Sequence, residues 1–415
     1  MKLAKIAYRN ILRNRRRSIL SGSAIAVATM SIVLLFGMMD GMLDDMARNE
    51  QRYNTGMIRI RNAEFDKYER LNPSHLVVQN ATATAETFAS YPWVTKISER
   101  INFPGRIYRE DREYNVLGKG VDFEQEKEFQ ELEDSLIQGR FPTPGSREAV
   151  IGVKLAERMG LDLTDSTPDK ITILTMKANR QQKHFTVEVV GLLAYPVGAL
   201  NGTHVLIPLD TAQRLLLMND ALSEILLMVD EDVMTADEAA ALLRSEQGPA
   251  FPELIIQSWL ETNLIWGMMN LGKNVYNVFA LFFFVLGSSV IINTTIMVIY
   301  ERMGEIGTMG AMGMRGKELT RLFFLEAFFI SALGALIGMV IGIVIILSIG
   351  TSGIPMGDMM DGIEGFSMSN YLYLGLSLRN TALVFVYSVA VASLSTFIPS
   401  RRAAKIEPVD ALRAI

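Results

Sequence analysis

The chain has 415 residues, 40 Lys and Arg against 45 Asp and Glu for a formal net charge of −5, 49% hydrophobic residues and no cysteine. The missing cysteines exclude a disulfide framework and disfavour a zinc site. The acidic balance disfavours nucleic acid as a partner, because a phosphate backbone is held by an excess of Lys and Arg.

In chain order, residues 1–17 carry Lys2, Lys5, Arg9, Arg13, Arg15, Arg16 and Arg17 and no acid. On a helix Lys2, Lys5, Arg9, Arg13 and Arg16 recur every three or four residues, beside apolar Leu3, Ala7 and Ile11. Such a stripe, Lys5, Arg9, Arg13 and Arg16 above all, suits the surface of an anionic leaflet. Residues 18–40 then form the first of four apolar segments of at least roughly 20 residues, the length that crosses hydrocarbon as a helix. Ala26 and Ala28 have the spacing of a signal-peptide cleavage site, but the apolar run continues to Met39, so an uncleaved anchor is expected.

Residues 41–270 are polar. Between 40 and 274 there are 36 acids and 24 bases, enough imbalance to keep a large domain soluble. Strand patterns occur at Met57 to Ile60, Tyr114 to Leu117, Ile171 to Leu174, Phe185 to Leu192, His204 to Ile207 and Ile225 to Val229. Helices are expected at Gly152 to Met159, Thr211 to Met218 and Phe123 to Leu136, the acids of the last reading as a solvated face. The order implies an α+β domain.

Residues 271–300 form the second span, with a stalk reaching back to Trp259. Its Asn274, Asn277, Asn293, Thr294 and Thr295 suit a packed or cleft-lining face. The connection 301–320 follows, with glycine at 304, 307, 310, 313 and 316 among Arg302, Glu305, Ile306, Met309, Met312 and Met314. Interior glycines make a poor free helix, at up to ~1 kcal/mol each. Close backbone approach and adaptable methionines fit a docking element, and a tight glycine-rich loop is the alternative. Residues 310–317 are no phosphate loop, since Ala311 and Glu318 stand where Gly and Ser or Thr are required.

The third span, 321–349, repeats Gly334, Gly338 and Gly342 every four residues, a face on which another helix can pack. Glu326, one turn inside it, is expected to reach headgroups, Arg321 or the amino-terminal helix. Residues 350–379 form an acidic loop, 380–399 the fourth span and 400–415 a basic tail. Basic residues flank both termini and the 301–320 connection, so these are expected in the cytoplasm and the large domain outside. His75, His184 and His204 are scattered, and no nucleophile, base or metal-ligand spacing stands out, so no enzyme activity is expected of this chain.

This order resembles the permease subunits of the MacB/LolC/LolE/FtsX superfamily of ABC transporters. The resemblance rests on Ala7 to Arg17, on Gly120-Val121-Asp122 with Gly139-Arg140, on Ile151 to Ala156 with Met159-Gly160-Leu161, on Val189 to Leu192, and above all on Pro399 to Arg413. It implies an α-helical membrane protein with four transmembrane helices and a large α+β extracytoplasmic domain inserted between the first two, in the bacterial inner membrane with both termini cytoplasmic. It also implies that 301–320 is the coupling helix or loop docking on a separate ABC ATPase dimer, which binds ATP and Mg while this chain binds no cofactor. Arg302, Glu305, Ile306, Gly307, Met309, Ala311 and Gly313 are the coupling residues; Gly310 departs from the basic residue of many relatives. Further implied partners are a second permease subunit, identical or not, membrane lipid, lipoprotein cargo and a periplasmic carrier. Phe36, Met39 and Phe279 would line an acyl or cargo cleft. An efflux permease for peptides or drugs, and a signalling module controlling a cell-wall hydrolase, use the same scaffold.

Overall fold

The computed structural model describes residues 2–13, 15–71, 73–109, 112–161, 169–261, 312–350, 352–356, 368–397 and 400–401, with scattered positions between 271 and 309. The described chain divides into a helical unit (Met1–Asp44, Met269–Ile354 and Leu372–Ile415) and a sheet domain (Asp45–Met268 with Pro355–Tyr371).

Helix α1 covers Lys2–Arg13, and α2 covers Arg15–Glu50 before tightening into a π-helical turn at Gln51–Thr55. The apolar run ends near residue 40, yet the helix does not. The charged residues beyond it, from Asp44 to Glu50, change the solvent a helix prefers and leave its backbone unbroken. At 1.5 Å per residue the 36 residues of α2 rise about 54 Å, well beyond the ~30 Å of a bilayer's hydrocarbon.

In the sheet domain the strands are β1 (Ile58–Asn62), β2 (Val78–Gln79), β3 (Val94–Arg109), β4 (Arg112–Val121), β5 (Leu136–Gly139), β6 (Glu148–Gly152), β7 (Lys170–Met176), β8 (Gln182–Leu193), β9 (His204–Pro208), β10 (Ala221–Leu222), β11 (Glu224–Val229) and β12 (Leu254–Ser258). All but β2 and β10 join one ten-stranded sheet in the order β12-β1-β11-β3-β4-β9-β6-β8-β5, with β7 pairing β3 and β8. The sheet is mixed: β4 with β9 and β6 with β8 run parallel, and the other pairs antiparallel. Helices α3 (Ala81–Ala89), α4 (Phe123–Phe129), α5 (Leu132–Ser135), α6 (Val153–Met159), α7 (Gly198–Thr203), α8 (Leu209–Leu216) and α9 (Ala236–Gln247) lie between the strands. Ile58, Phe88, Phe103, Ile151, Leu155 and Ile207 are fully buried in the main core. Burial of a side chain of this size contributes about 1.5–3 kcal/mol.

The expected helix at Phe123 to Leu136 is two short helices, and its acids are not all solvated. Phe123, Glu126 and Phe129 share the buried face of α4, and Glu126 is only 1% exposed.

The chain closes with α10 (Gly316–Gly350) and α11 (Leu378–Ser395). Among the described residues three helices are long and apolar enough to cross a membrane: Ser18–Thr55, Gly316–Gly350 and Leu378–Ser395. The expected second span and the stalk between 262 and 270 fall largely outside the described residues. The expected external loop is more than a linker, because Pro355–Tyr371 groups with the sheet domain. Ser369 bridges Val197, and the Asn370 N–H donates to the Pro196 carbonyl at 2.9 Å. Asp45 accepts from the Ser369 N–H at 3.0 Å and from its hydroxyl at 2.9 Å.

Candidate functional site

Of the expected coupling residues, Arg302, Glu305, Ile306, Gly307 and Ala311 lie outside the described residues. Met309 and Gly313 do not. Helical structure is present at Gly304, Thr308 and Met309, and the Met312 N–H donates to the Thr308 carbonyl at 3.0 Å. Gly313 has φ of +91°, and the Met314 N–H reaches back to the Met309 carbonyl at 3.0 Å. This six-to-one bond around a left-handed glycine is a Schellman stop, and Met309 and Met314 both pack against the pair Leu319 and Phe323. The next helix starts at once. The Glu318 carboxylate accepts from the Arg315 N–H at 3.0 Å, half of a capping box at the start of α10. Met312 stands at the turn, 78% exposed.

In the helical unit, α10 lies against α2 along its glycine face. A Cβ at Gly334 would come within 2.6 Å of the Gly22 carbonyl oxygen, one at Gly338 within 2.1 Å of that of Ala26, and one at Gly342 within 2.9 Å of Val33 Cγ1. Helix α1 packs on α10, its Ala7 is fully buried, and Asn10 Nδ2 donates to Glu326 Oε1 at 2.6 Å. The Ser18 hydroxyl of α2 donates to the Ile11 carbonyl of α1 at 3.1 Å. Lys5, Arg9, Arg13 and Arg16 are exposed, as are Ile6, Tyr8 and Leu12. Phe36 and Met39 are half-buried, and Phe279 is exposed.

Inside the sheet domain the end of α2 is held by buried cations. Arg100 on β3 is fully buried; its guanidinium donates to the Tyr53 carbonyl at 2.9 Å and the Arg52 carbonyl at 3.3 Å. Lys119 on β4 donates to the same Tyr53 carbonyl at 2.8 Å. These carbonyls belong to the π-helical turn, where a helix end leaves oxygens unpaired and its dipole favours positive charge. Arg100 is itself fixed by Glu126 in a two-pronged ion pair of 2.7 and 3.2 Å, and its guanidinium lies over the Phe129 ring. The Ser98 hydroxyl also donates to Glu126. Burial pulls Lys119 down to about 8, chiefly by desolvation and then by repulsion from Arg100. His204 is pushed well below its usual range by burial, with Lys119 and Arg100 adding to the effect, and is therefore neutral. It bonds Thr203 through Nδ1, while Nε2 and the neighbouring Tyr195 hydroxyl have no partner among the described residues. Sequence reasoning missed this cluster. Its signal was the i, i+3, i+6 spacing of Phe123, Glu126 and Phe129, which puts an acid on an apolar face. The other histidines stand elsewhere: His75 contacts Arg180 at 3.0 Å, and His184 lies on β8 opposite Leu174.

A family model described as the MacB-like periplasmic core domain matches residues 18–245, more than half of the chain, and one described as FtsX-like permease C-terminal matches 277–408. The chain is an ABC transporter permease of the MacB/LolC/FtsX family. The permease is 22% identical over 315 residues to the lipoprotein-releasing system transmembrane protein LolC of Neisseria meningitidis, covering 72% of this chain and 73% of that protein. It is 24% identical over 422 residues to the macrolide export ATP-binding/permease protein MacB of Bradyrhizobium diazoefficiens, covering 98% of this chain and 59% of that protein. The chain thus spans about three fifths of that relative's length. The crystal structure of the periplasmic region of MacB from Actinobacillus actinomycetemcomitans overlaps 48% of the permease and 87% of that chain, at 16% identity and a TM-score of 0.34.

The motif pieces of the permease have mechanical reasons to exist. Gly120 lets β4 approach α8, since a Cβ there would sit 2.2 Å from that of Ala212. Asp122 caps α4, its carboxylate accepting from the Glu124 N–H at 2.9 Å. Arg140 forks onto Glu148 at 3.0 and 2.5 Å, and this pairing, with further bonds from Thr143 and Ser146, holds the Glu148 carboxyl down at about 2.

Proposed function

We propose that this permease works by mechanotransmission: two separate ATPase subunits, carrying ATP and Mg, close on the 301–320 connection, and the motion is delivered to the sheet domain of a permease dimer. The observation that supports the reading most is the unbroken run of α2 from Arg15 to Glu50 into a turn bonded to β3 and β4. A helix with continuous backbone bonding transmits displacement along its axis, and one ending in paired carbonyls cannot slide freely against the strands it is tied to. For the motor to drive it, the connection must bind the ATP-closed state more tightly than the open one.

The permease sits in the bacterial inner membrane with both termini in the cytoplasm and the sheet domain outside. Lipidated proteins are the cargo, drawn from the outer leaflet and passed to a periplasmic carrier. The relative named for lipoprotein release aligns over most of its own length, and Leu34, Leu35, Phe36, Met38 and Met39 of α2 keep part of their apolar surface open to acyl chains. Export of small molecules is the second reading, favoured by the MacB relative that aligns over 98% of this chain.

Photocrosslinking residues placed at Phe36 and Phe279 test the cargo. Acylated protein trapped in an ATP-dependent manner supports release, trapped soluble small molecules favour export, and a captured hydrolase without cargo favours signalling. Glu305→Ala, with ATPase binding and ATPase stimulation measured side by side, tests the coupling; unchanged values of both would remove the connection from the mechanism.

A further inference from the structure

Two buried cations meet at the end of α2. The Tyr53 carbonyl already accepts from Arg100 at 2.9 Å, and Arg100 is neutralised by Glu126. Lys119 adds a second donor at 2.8 Å to the same oxygen, with only 4% of the residue exposed. Burying an ammonium group is costly and is tolerated where its bond is needed. The two donors approach from different strands, β3 and β4, which are themselves neighbours across the register Arg100 to Val121 and Asn102 to Lys119. One carbonyl is thus tied to two adjacent strands. Immediately beyond it Gly56, at φ +64°, turns the chain into β1, and a Cβ there would lie 3.0 Å from the Ile58 carbonyl oxygen.

We propose that Arg100 and Lys119 form a joint that fixes the turn Gln51–Thr55 of α2 to β3 and β4, and that Lys119 is a positioning residue for transmission rather than for folding. This rests on the mechanotransmission reading. Arg100 holds the turn from β3 through the Tyr53 and Arg52 carbonyls; Lys119 adds a tie from β4, so that the turn cannot pivot about the β3 contacts alone. Displacement of α2 then reaches the centre of the sheet, where β3 and β4 lie, as well as β1 near its edge.

The chain contains no cysteine, so paired nitroxide labels can be placed at Arg48→Cys on α2 and Thr95→Cys on β3, both exposed positions, in the full-length permease in lipid nanodiscs. Lys119→Met keeps the length of the side chain and removes its donor. The distance distribution is expected to broaden about twofold when the Lys119 bond is lost, with the melting temperature unchanged or raised because a buried charge is gone. Lys127→Met, on α4 and with no bond to the α2 turn among those described, serves as the control and leaves the width alone. An unchanged width in Lys119→Met overturns the joint, and so does broadening accompanied by a fall of more than ~5 °C, which would mark general loosening. A second arm reconstitutes the labelled permease with its ATPase. Lys119→Met should retain ATP hydrolysis and lose at least half of the ATP-driven distance change. Absence of any ATP-driven change in the unsubstituted chain would count against the mechanotransmission reading alone, because the nucleotide-free widths still decide whether the joint exists.

Discussion

Gly313 shows how much can depend on one residue without a side chain. Its left-handed backbone ends the helical turn at Thr308 and Met309, returns Met314 to Met309 and leaves Met312 exposed at the turn. A Cβ at this position would have no atom within 4 Å, so alanine would meet no steric clash, only a conformational cost of roughly 1–2 kcal/mol. That is enough to lower the population of the closed turn about 5- to 30-fold. Gly313→Ala is therefore expected to reduce ATPase stimulation by the reconstituted permease, while circular dichroism melting of the sheet domain stays as before. Glu148 supplies a pH-dependent counterpart. Its carboxyl is held at about 2 instead of 4.5, so between these values the unfolded chain binds more protons than the folded one. The stabilising contribution is full above the unfolded value and disappears as the pH falls through the folded one. Melting curves from about pH 5 down to about pH 2 should show the difference between the natural chain and Glu148→Gln closing with acid.

At the scale of elements, the glycine face of α10 sets the approach of α2. The two closest positions meet backbone, at Gly22 and Ala26, which cannot yield by changing rotamer; the third meets the Val33 side chain, which can. Gly338→Ala is expected to lower the melting temperature of the detergent-solubilised permease sharply, overpacking at such a site costing about 1–3 kcal/mol or more, whereas Gly342→Ala should cost less. Equal effects would show that side-chain volume, rather than backbone approach, controls the packing. The repeat itself was legible, because i, i+4 spacing places small residues on one face of any helix. Which helix it meets was not. The strands were read unevenly for a similar reason. His204 to Ile207 and Ile225 to Val229 carry dense β-branched and aliphatic runs, while β3, the longest strand, hides Ser98, Arg100, Pro104 and Gly105 among its apolar positions. Its polar residues face partners on α4 and β11 that no local pattern contains, as Ser98 and Arg100 do toward Glu126 and Asn102 toward Glu224.

For the whole molecule, the expected orientation makes a simple prediction. Single cysteines at Lys127, in the sheet domain, and at Met312, in the turn before Gly313, should differ completely in intact cells. A membrane-impermeant maleimide should label the first and reach the second only after lysis. Labelling in the opposite sense would reverse the topology and with it the direction of transmission.

The sequence by itself determined the membrane character, the polar insertion and the family, because spans of apolar residues, flanking charge and short motifs are properties of consecutive residues. The end of the apolar run at Met39 also marked where hydropathy changes, but it could not mark where α2 ends, since backbone bonding continues through charged residues to Glu50. Only the tertiary structure decided that Pro355–Tyr371 belongs with the sheet domain and that Glu126 lies on the buried face of α4. It alone brought Arg100 and Lys119 to one carbonyl of the α2 turn. Those outcomes depend on charge and hydrogen bonding between segments 26 to more than 300 residues apart, as in Arg100 with Glu126 and Asp45 with Ser369. The cost of leaving a buried polar group unpaired selects the partner, and that cost exists only once the core has closed around it.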